Sequence, residues 1–464
     1  MSTRETISWG TGVSVSLAAD GRREITGRVE LTLPPVSPSV GAALEALSEG
    51  DRSFSELSAL AGHDGVTHAA IFHSLLEGLR KQGLLARTLH VDGSVIARLA
   101  PAAPQARGHA LKEGVRYSLS RFAFMHVVDG SLMLETPLSE GRVELSAWQG
   151  PALLGALATP RCIEDVTAAV PGLPTEAATA FLRMLAEAGL LTETGADGVS
   201  VEPGVLATWE FHDLLFHRQT RWGKRESIYG GATYRFRDVL PAPEKKPPLQ
   251  GERFSLEKPD LSEVERRDPP FSVVMEGRRS IRAHGARPVT RTQLGELLYR
   301  AVGHRHVVFH GRGEGEARPY PSGGAIYETE VYVIVERCEG LEEGLYHYQG
   351  AEHALCRISG RTPELDMILQ AAMSGALIKE RPQVMIILTA RFARMAWKYE
   401  TMAYAAMLKN VGVIYQTLYL VATAMGLAPC ALGGGSAEVF ARASGLDPLE
   451  EGSVGEFLLG TRPE

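Results

Sequence analysis

The chain has 464 residues, 44% hydrophobic and 22% charged, with a formal net charge of −7. That length predicts about three domains with ordinary globular cores, and the acidic balance without any basic block argues against phosphate-driven nucleic-acid binding. The N-terminal "MSTRETISWGTG" lacks the basic-then-apolar order of a signal peptide. The most apolar stretch, 411 to 425, is too short for a bilayer. Cys162, Cys338, Cys356 and Cys430 are scattered without a C-x-x-C pair, which predicts reduced thiols, no metal site and a cytoplasmic location.

Residues 42–87 and 152–194 form an internal repeat. Each copy reads as helix, short helix and longer helix, ending in Gly-Leu-Leu (Gly83-Leu84-Leu85 and Gly189-Leu190-Leu191). The glycine suits a helix C′ position, where a left-handed backbone is cheap. "LHVDGSVIARL" and "HVVDGSLMLE" carry Asp-Gly hairpin signals beside the copies. Helices plus hairpin outline two tandem winged-helix-like domains, 1–105 and 106–205. Their third helices carry few basic residues, so strand addition of a peptide along a wing suits them better than DNA.

Residues 206–270 form a bridge: an aromatic- and Arg-rich helix, then 32 residues (239–270) with seven prolines, expected as an extended arm or linker. His212 and His217 are five apart and do not form an i, i+4 metal pair. From 271 to 464 helices and strands alternate, an α+β domain whose apolar "QVMIILTA" is a central strand. His304, His306 and His310 fall in a Gly-rich stretch expected as a surface loop. Neither G-x-G-x-x-G nor G-x-x-x-x-G-K-[ST] occurs in a nucleotide-binding context.

Four features of this domain suit chemistry. Arg278, Arg279 and Arg282 bracket Ser280, and Arg278 and Arg282, four apart, could converge on one anion. Pro321-Ser322-Gly323-Gly324 enters a strand with backbone open to a flat ligand. Leu432-Gly433-Gly434 opens a glycine run that could offer backbone N–H groups. Finally, Lys398 and Tyr399 sit together at the mouth of a long apolar helix. A lysine there could simply snorkel, but an ammonium beside a phenol also favours the phenolate.

In this order, "RRSIR", "RPYPSGGAIYETEVYVIV", "GLYHY", "WKYE", "ALGGG" and "GEFLLG" resemble the flavin-dependent nitroreductase superfamily, and within it the azoline-oxidase branch (SagB- and McbC-type dehydrogenases, cyanobactin oxidases). The resemblance covers roughly residues 115–464. It implies a homodimeric FMN enzyme with a mixed central sheet flanked by helices. Arg278, Arg279, Ser280, Arg282, Pro321, Ser322, Gly323, Gly324, Leu432, Gly433, Gly434 and Arg462 would hold the cofactor, the Ser322 turn from the other subunit. Members oxidise thiazoline or oxazoline rings of a ribosomal peptide to the aromatic azoles, and oxygen then reoxidises the flavin. That reaction needs a base near neutral pH for the proton α to the carbonyl, with Tyr399 and Lys398 as base and electrostatic partner in either order. The resemblance also implies leader-peptide binding by the N-terminal domains and allows a cyclodehydratase partner, with no membrane and no nucleic acid. Rival expectations are an NAD(P)H-dependent nitro- or quinone-reductase on the same fold, and a winged-helix regulator with a flavin sensor.

Overall fold

The computed structural model describes residues 2–27, 29–100, 111–112, 114–139, 141–194, 204–221, 231–309 and 313–464, with backbone alone at 306–309 and 313–316. The chain forms two compact units, Met1–Lys224 and Arg225–Glu464.

In the first unit both repeat copies are three helices: Pro38–Glu49, Phe54–Ala61 and Val66–Lys81, then Gln149–Ala156, Ile163–Ala169 and Thr175–Glu187. Gly83 (φ 67) and Gly189 (φ 69) end the third helices in the left-handed region, as their position in the repeat demands. The Asp-Gly pairs are tight hairpin turns, Asp92-Gly93 at φ 47 and 79 and Asp129-Gly130 at φ 48 and 82. They join Leu85–Val91 to Ser94–Ala100 and Phe124–Val128 to Ser131–Glu135.

The arrangement departs from two identical modules. The first hairpin follows its helices, whereas the second precedes them, and the strand after the second copy, Leu191–Glu193, pairs with Tyr117–Leu119. Arg142–Leu145 pairs with Ser94–Ala100 and thereby merges strands of both halves into one seven-stranded sheet. An N-terminal strand, Thr3–Trp9, joins that sheet beside Leu85–Val91. Pairing between strands so distant in sequence leaves no local signal. The bridge helix Phe211–Thr220 forms as expected, with Leu214 in a small cluster with Phe122 and Leu206.

The second unit is built on a seven-stranded sheet ordered Arg253–Ser255, Ala354–Ser359, Gly344–Gln349, Thr329–Val335, Val384–Arg391, Glu451–Thr461, Leu427–Leu432. Its neighbours are all antiparallel. Among the described residues, the parallel pairing that a mixed sheet would contain is confined to Val289–Thr290 beside Cys338–Glu339, outside this sheet. Alternation along the central strands explains why they read as unbroken apolar runs. Val331, Val333, Val335, Ile386 and Leu388 face one core with Leu294, Leu298, Ile414 and Leu418, while Tyr332, Ile334, Met385 and Ile387 face another with Leu365, Leu369 and Phe440. Each fully buried aliphatic side chain contributes roughly 1.5–3 kcal/mol, so a sheet covered on both faces is a rigid platform.

The Pro-rich stretch is more than a linker. Arg253–Ser255 adds an edge strand to the sheet, Asp260 caps a short helix, Leu261–Arg267, and Lys246 is anchored by Glu451 (2.5 Å) and the Tyr332 hydroxyl (2.6 Å). Proline density hid these short elements. Residues 305–309 and 313–317 pair as a hairpin where a loop was expected, and His310 lies outside the described residues. Among the described residues, no helix is long and apolar enough to cross a membrane.

His284 is packed against Gly460, and its Nδ1 accepts from the Gln383 N–H (3.2 Å). Burial, helped by the Arg337 charge, pushes its imidazole down to about 4 from 6.5. The unfolded chain therefore takes up a proton between these values that the folded chain refuses, and stability falls as pH drops through that window. We expect thermal melting temperatures of wild type to fall between pH 6.5 and 4 more steeply than those of His284→Gln. Parallel pH profiles would show that another group governs acid unfolding.

Candidate active site

The long apolar helix of the second unit runs from Ala403 to Ala424, and its buried residues pack on the sheet. It starts later than the apolar pattern suggested. A short helix, Phe392–Ala396, comes first, and Lys398 and Tyr399 lie in the turn between the two. The Tyr399 N–H donates to the Met395 carbonyl (2.8 Å) and fixes that turn. Residues 231–240 brace it from outside. The Glu400 N–H donates to Gly231 O (2.8 Å), the Trp397 indole donates to Leu240 O (3.1 Å), and the Tyr234 ring meets Trp397 edge-on at 5.6 Å.

Lys398 and Tyr399 converge on Gly324. A Cβ on Gly324 would stand 2.5 Å from Lys398 Nζ and 2.6 Å from Tyr399 Oη, and its φ of 64 suits glycine. Gly323 faces Met395 and Ala406 in the same way, at 3.3 and 3.8 Å. The lysine ammonium also lies 5.3 Å from the Tyr399 ring centre and 6.0 Å from that of Tyr234. Two motifs 74 residues apart in the chain (Gly324 and Lys398) thus form one group: an ammonium and a phenol over a glycine turn. Pro321 is exposed beside it.

A second group lies near the other end of the helix. After Gly277 the chain leaves its helix with Arg278 on extended backbone, and Arg282 lies outside any helix as well. The Ile281 N–H donates to Pro429 O (2.8 Å), which lays this segment along the strand Leu427–Leu432. Arg278 stacks on the Tyr419 ring at 5.2 Å, the Ser280 hydroxyl is 2.7 Å from the Tyr419 hydroxyl, and the latter accepts from the Ala431 N–H (2.8 Å). Arg462 donates through Nε to Leu427 O (3.1 Å) at the start of the same strand. Arg278, Ser280 and Arg462 therefore gather at one strand, and the Arg282 charge acts on Cys430 of the same strand, a cationic cradle suited to an anion. Arg279 is exposed, and among the described residues no hydrogen bond or ring contact ties it to this group. The Leu432 side chain is buried in a core cluster, whereas Gly433 and Gly434 are exposed, and a Cβ on either would meet nothing within 4 Å.

The structure adds residues that the sequence did not single out. Tyr419 organises the cradle, and Asn410 and Glu328 stand behind the glycine turn. A cavity of about 320 Å³ opens beside that turn, with Ile326, Tyr327, Glu330, His347 and Arg391 on its walls. Desolvation opposes ionisation of Glu330, but the hydrogen bond and charge of His347 (3.2 Å), with Arg318 and Lys246 nearby, outweigh it and hold the carboxyl low.

The nitroreductase family model matches residues 275–460. A protein of Methanocaldococcus jannaschii that bears the name nitroreductase is 32% identical over 183 residues, covering 39% of this chain and 85% of the relative. The chain belongs to the nitroreductase family. As such it is an oxidoreductase, of a family that generally binds flavin. Residues 117–226 match the model of the cyanobactin oxidase ThcOx. The trifolitoxin-processing protein TfxB of Rhizobium leguminosarum is 31% identical over 134 residues (28% of this chain, 36% of that protein). The microcin B17-processing protein McbC of Escherichia coli is 34% identical over 115 residues (24% of this chain, 42% of that protein). The chain thus spans less than half the length of these two relatives. Together these matches support the azoline-oxidase branch of the nitroreductase family.

One acid adjoins the glycine run. Glu456 is buried beneath Gly435, where a Cβ would collide with its carboxylate. Burial pushes the Glu456 carboxyl up, against a weaker hydrogen bond with Ser453 that pulls it down. Above the ordinary carboxylate value of 4.5 the folded chain keeps a proton that the unfolded chain has released, so this group's contribution falls as pH rises. Glu456→Gln should therefore melt higher than wild type at about pH 8 and equally at about pH 4. Equal melting at both pH values would contradict the burial of an acid there.

Proposed function

We propose that the protein is an FMN-dependent dehydrogenase that converts thiazoline or oxazoline rings of a ribosomally made peptide into thiazoles or oxazoles. The observation that carries this reading is the convergence of Lys398 and Tyr399 on Gly324, an acid–base pair packed directly over glycine backbone. Aromatisation removes a proton from the carbon α to the carbonyl, and the pair offers a phenolate oxygen or a neutral amine as its acceptor. Either group is a candidate base, the other holding the charge that develops. Tyr234 and Trp397 fix the turn that carries them, so the pair meets substrate in one orientation.

The residues fit FMN. Arg278, Ser280, Arg282 and Arg462 would hold its phosphate and ring edge, and the exposed backbone of Gly433 and Gly434 leaves room for a flat ring. Bound there, FMN would supply the hydride acceptor, with oxygen as the final oxidant. Asn410, behind the glycine turn, and Tyr419, in the cradle, are nine residues apart on one helix. At about 1.5 Å and 100° per residue that is roughly 14 Å and opposite sides of the helix. A single chain therefore does not turn both groups to a common ligand, which supports a site completed by a second copy. Phe271 (71% exposed), Val273, Met275, Tyr404 and Leu408 are apolar side chains that this unit leaves exposed and that such a copy could cover.

The N-terminal unit supports peptide recognition. Phe124–Val128 is an edge strand of its seven-stranded sheet, with Met125 and Val127 exposed, and an edge of that kind accepts an added strand. We assign it leader-peptide binding, and the substrate then arrives from the enzyme class that cyclodehydrates cysteine, serine or threonine.

The test is mass spectrometry of a heterocyclised peptide incubated with purified protein, where loss of two hydrogens per ring is expected. Lys398→Ala and Tyr399→Phe that retain flavin should each lower the rate at least about 100-fold, the lower range of general acid–base catalysis. Wild-type rates in both would remove the assignment. Gly324→Ala should likewise abolish turnover by displacing both groups. Rapid flavin reduction by NAD(P)H, with no change in peptide mass, would favour a nitro- or quinone-reductase instead. Deleting the N-terminal unit, Met1–Lys224, should abolish leader-peptide affinity; unchanged affinity and turnover would contradict a recognition role.

A further inference from the structure

The turn at Ser322–Gly324 is strained and is held from behind. Gly324 has φ 64, and two residues that are not glycine, Ala325 (φ 54) and Tyr327 (φ 51), also occupy the left-handed region. Side chains rarely tolerate that backbone unless the surroundings over-determine it. The surroundings here are Glu328, fully buried, and Asn410, 7% exposed on the long helix.

The hydrogen bonds leave no freedom of assignment. The Gly323 N–H can only donate, so it meets Asn410 Oδ1 (3.2 Å). The other end of that amide must then be Nδ2, which donates to Glu328 Oε1 (2.8 Å) and to Ser322 Oγ (3.2 Å). Ser322 Oγ also accepts the Tyr327 N–H (3.1 Å), and its own proton goes to Glu328 Oε2 (3.2 Å). A hydroxyl has one donor and two acceptor sites, and all three are taken. The Ser322 side chain is therefore spent inside the protein and has no hydrogen bond left for a ligand.

We propose that Asn410 and Glu328 are the positioning residues of the site. They lock Ser322 inward and hold Gly323 and Gly324 in the strained backbone that faces the cofactor and the Lys398–Tyr399 pair. This rests on the flavin reading above, and it replaces a direct Ser322–flavin hydrogen bond by an internal anchor. The device is a buried amide and carboxyl that together saturate one serine. Breaking it lets the turn relax towards ordinary backbone and lowers affinity for the flavin.

The experiment uses the full-length chain in four forms: wild type, Asn410→Asp, Glu328→Gln, and the double variant. Asn410→Asp sets two carboxyl groups face to face. In the double variant the amide introduced by Glu328→Gln can donate to the carboxylate introduced by Asn410→Asp, which still accepts from the Gly323 N–H. Hydrogen exchange over residues 321–328, free of added flavin, and FMN affinity by fluorescence titration are the readouts. We expect Asn410→Asp to exchange faster there and to bind FMN about tenfold or more weakly, the scale of one lost hydrogen bond to a charged group. Adding Glu328→Gln should restore both. A general loss of stability would lower the melting temperature without weakening FMN binding of the folded fraction, and that result overturns the proposal. Unchanged exchange in Asn410→Asp, or no rescue in the double variant, overturns it too. Wild type that takes up FMN, with Asn410→Asp binding equally well, overturns this proposal alone. Wild type that takes up no FMN overturns the flavin reading and this proposal with it, while the exchange results still report whether the network holds the turn.

Discussion

Burial of the helix Ala403–Ala424 against the antiparallel sheet is the constraint on which the rest of the second unit depends. Ile414 and Leu418 are fully buried against Val331, Val333 and Ile386, so the helix can neither rotate nor slide without opening a packed core. Its polar residues are fixed by the same packing. Asn410 is set behind the Ser322 turn and Tyr419 behind the Arg278 segment, and both are buried. Buried polar groups are expensive unless bonded, and these two are bonded to the loops that carry the candidate chemistry. One hydrophobic decision therefore orients both halves of the site.

The two halves make different demands. The cradle around Leu427–Leu432 presents guanidinium groups that stay charged at any working pH, so its capacity to hold an anion does not depend on a proton. In the proposed reaction the Lys398–Tyr399 pair has to exchange one. Placing the pair in a turn, braced by Gly231, Tyr234 and Leu240, keeps it outside the packed core while the backbone stays fixed. An ammonium and a phenol buried in the core would be desolvated, which disfavours the charged form of each.

Much of this was legible in the sequence. Repeat, hairpin turns and apolar strands follow from local rules: Gly83 and Gly189 end helices because they tolerate positive φ, and the Asp-Gly pairs close hairpins for the same reason. What escaped depends on partners far away in the chain. Arg142–Leu145 beside Ser94–Ala100, and Arg253–Ser255 beside Ala354–Ser359, are short strands whose pairing no nearby residue announces. The candidate site divides the same way. Lys398, Tyr399, Gly324 and Arg278 stood out by their chemistry, but Asn410 and Tyr419 look like ordinary interruptions of an apolar helix until the fold supplies their neighbours.

Ser322 sharpens the point, because its residue type and its geometry point in opposite directions. In the linear motif it reads as a ligand beside two permissive glycines. In the fold its hydroxyl gives one proton to Glu328 and receives two, from Asn410 and the Tyr327 backbone. A serine so saturated acts as a rivet. It joins the turn to the helix that also bears Tyr419, so the backbone of Gly323 and Gly324 is referenced to the same rigid body as the anion cradle. That shared reference keeps the strained turn and the cluster of arginines at a fixed spacing on opposite sides of one helix, so in a site shared between two copies the turn of one would meet the cradle of the other as two rigid parts.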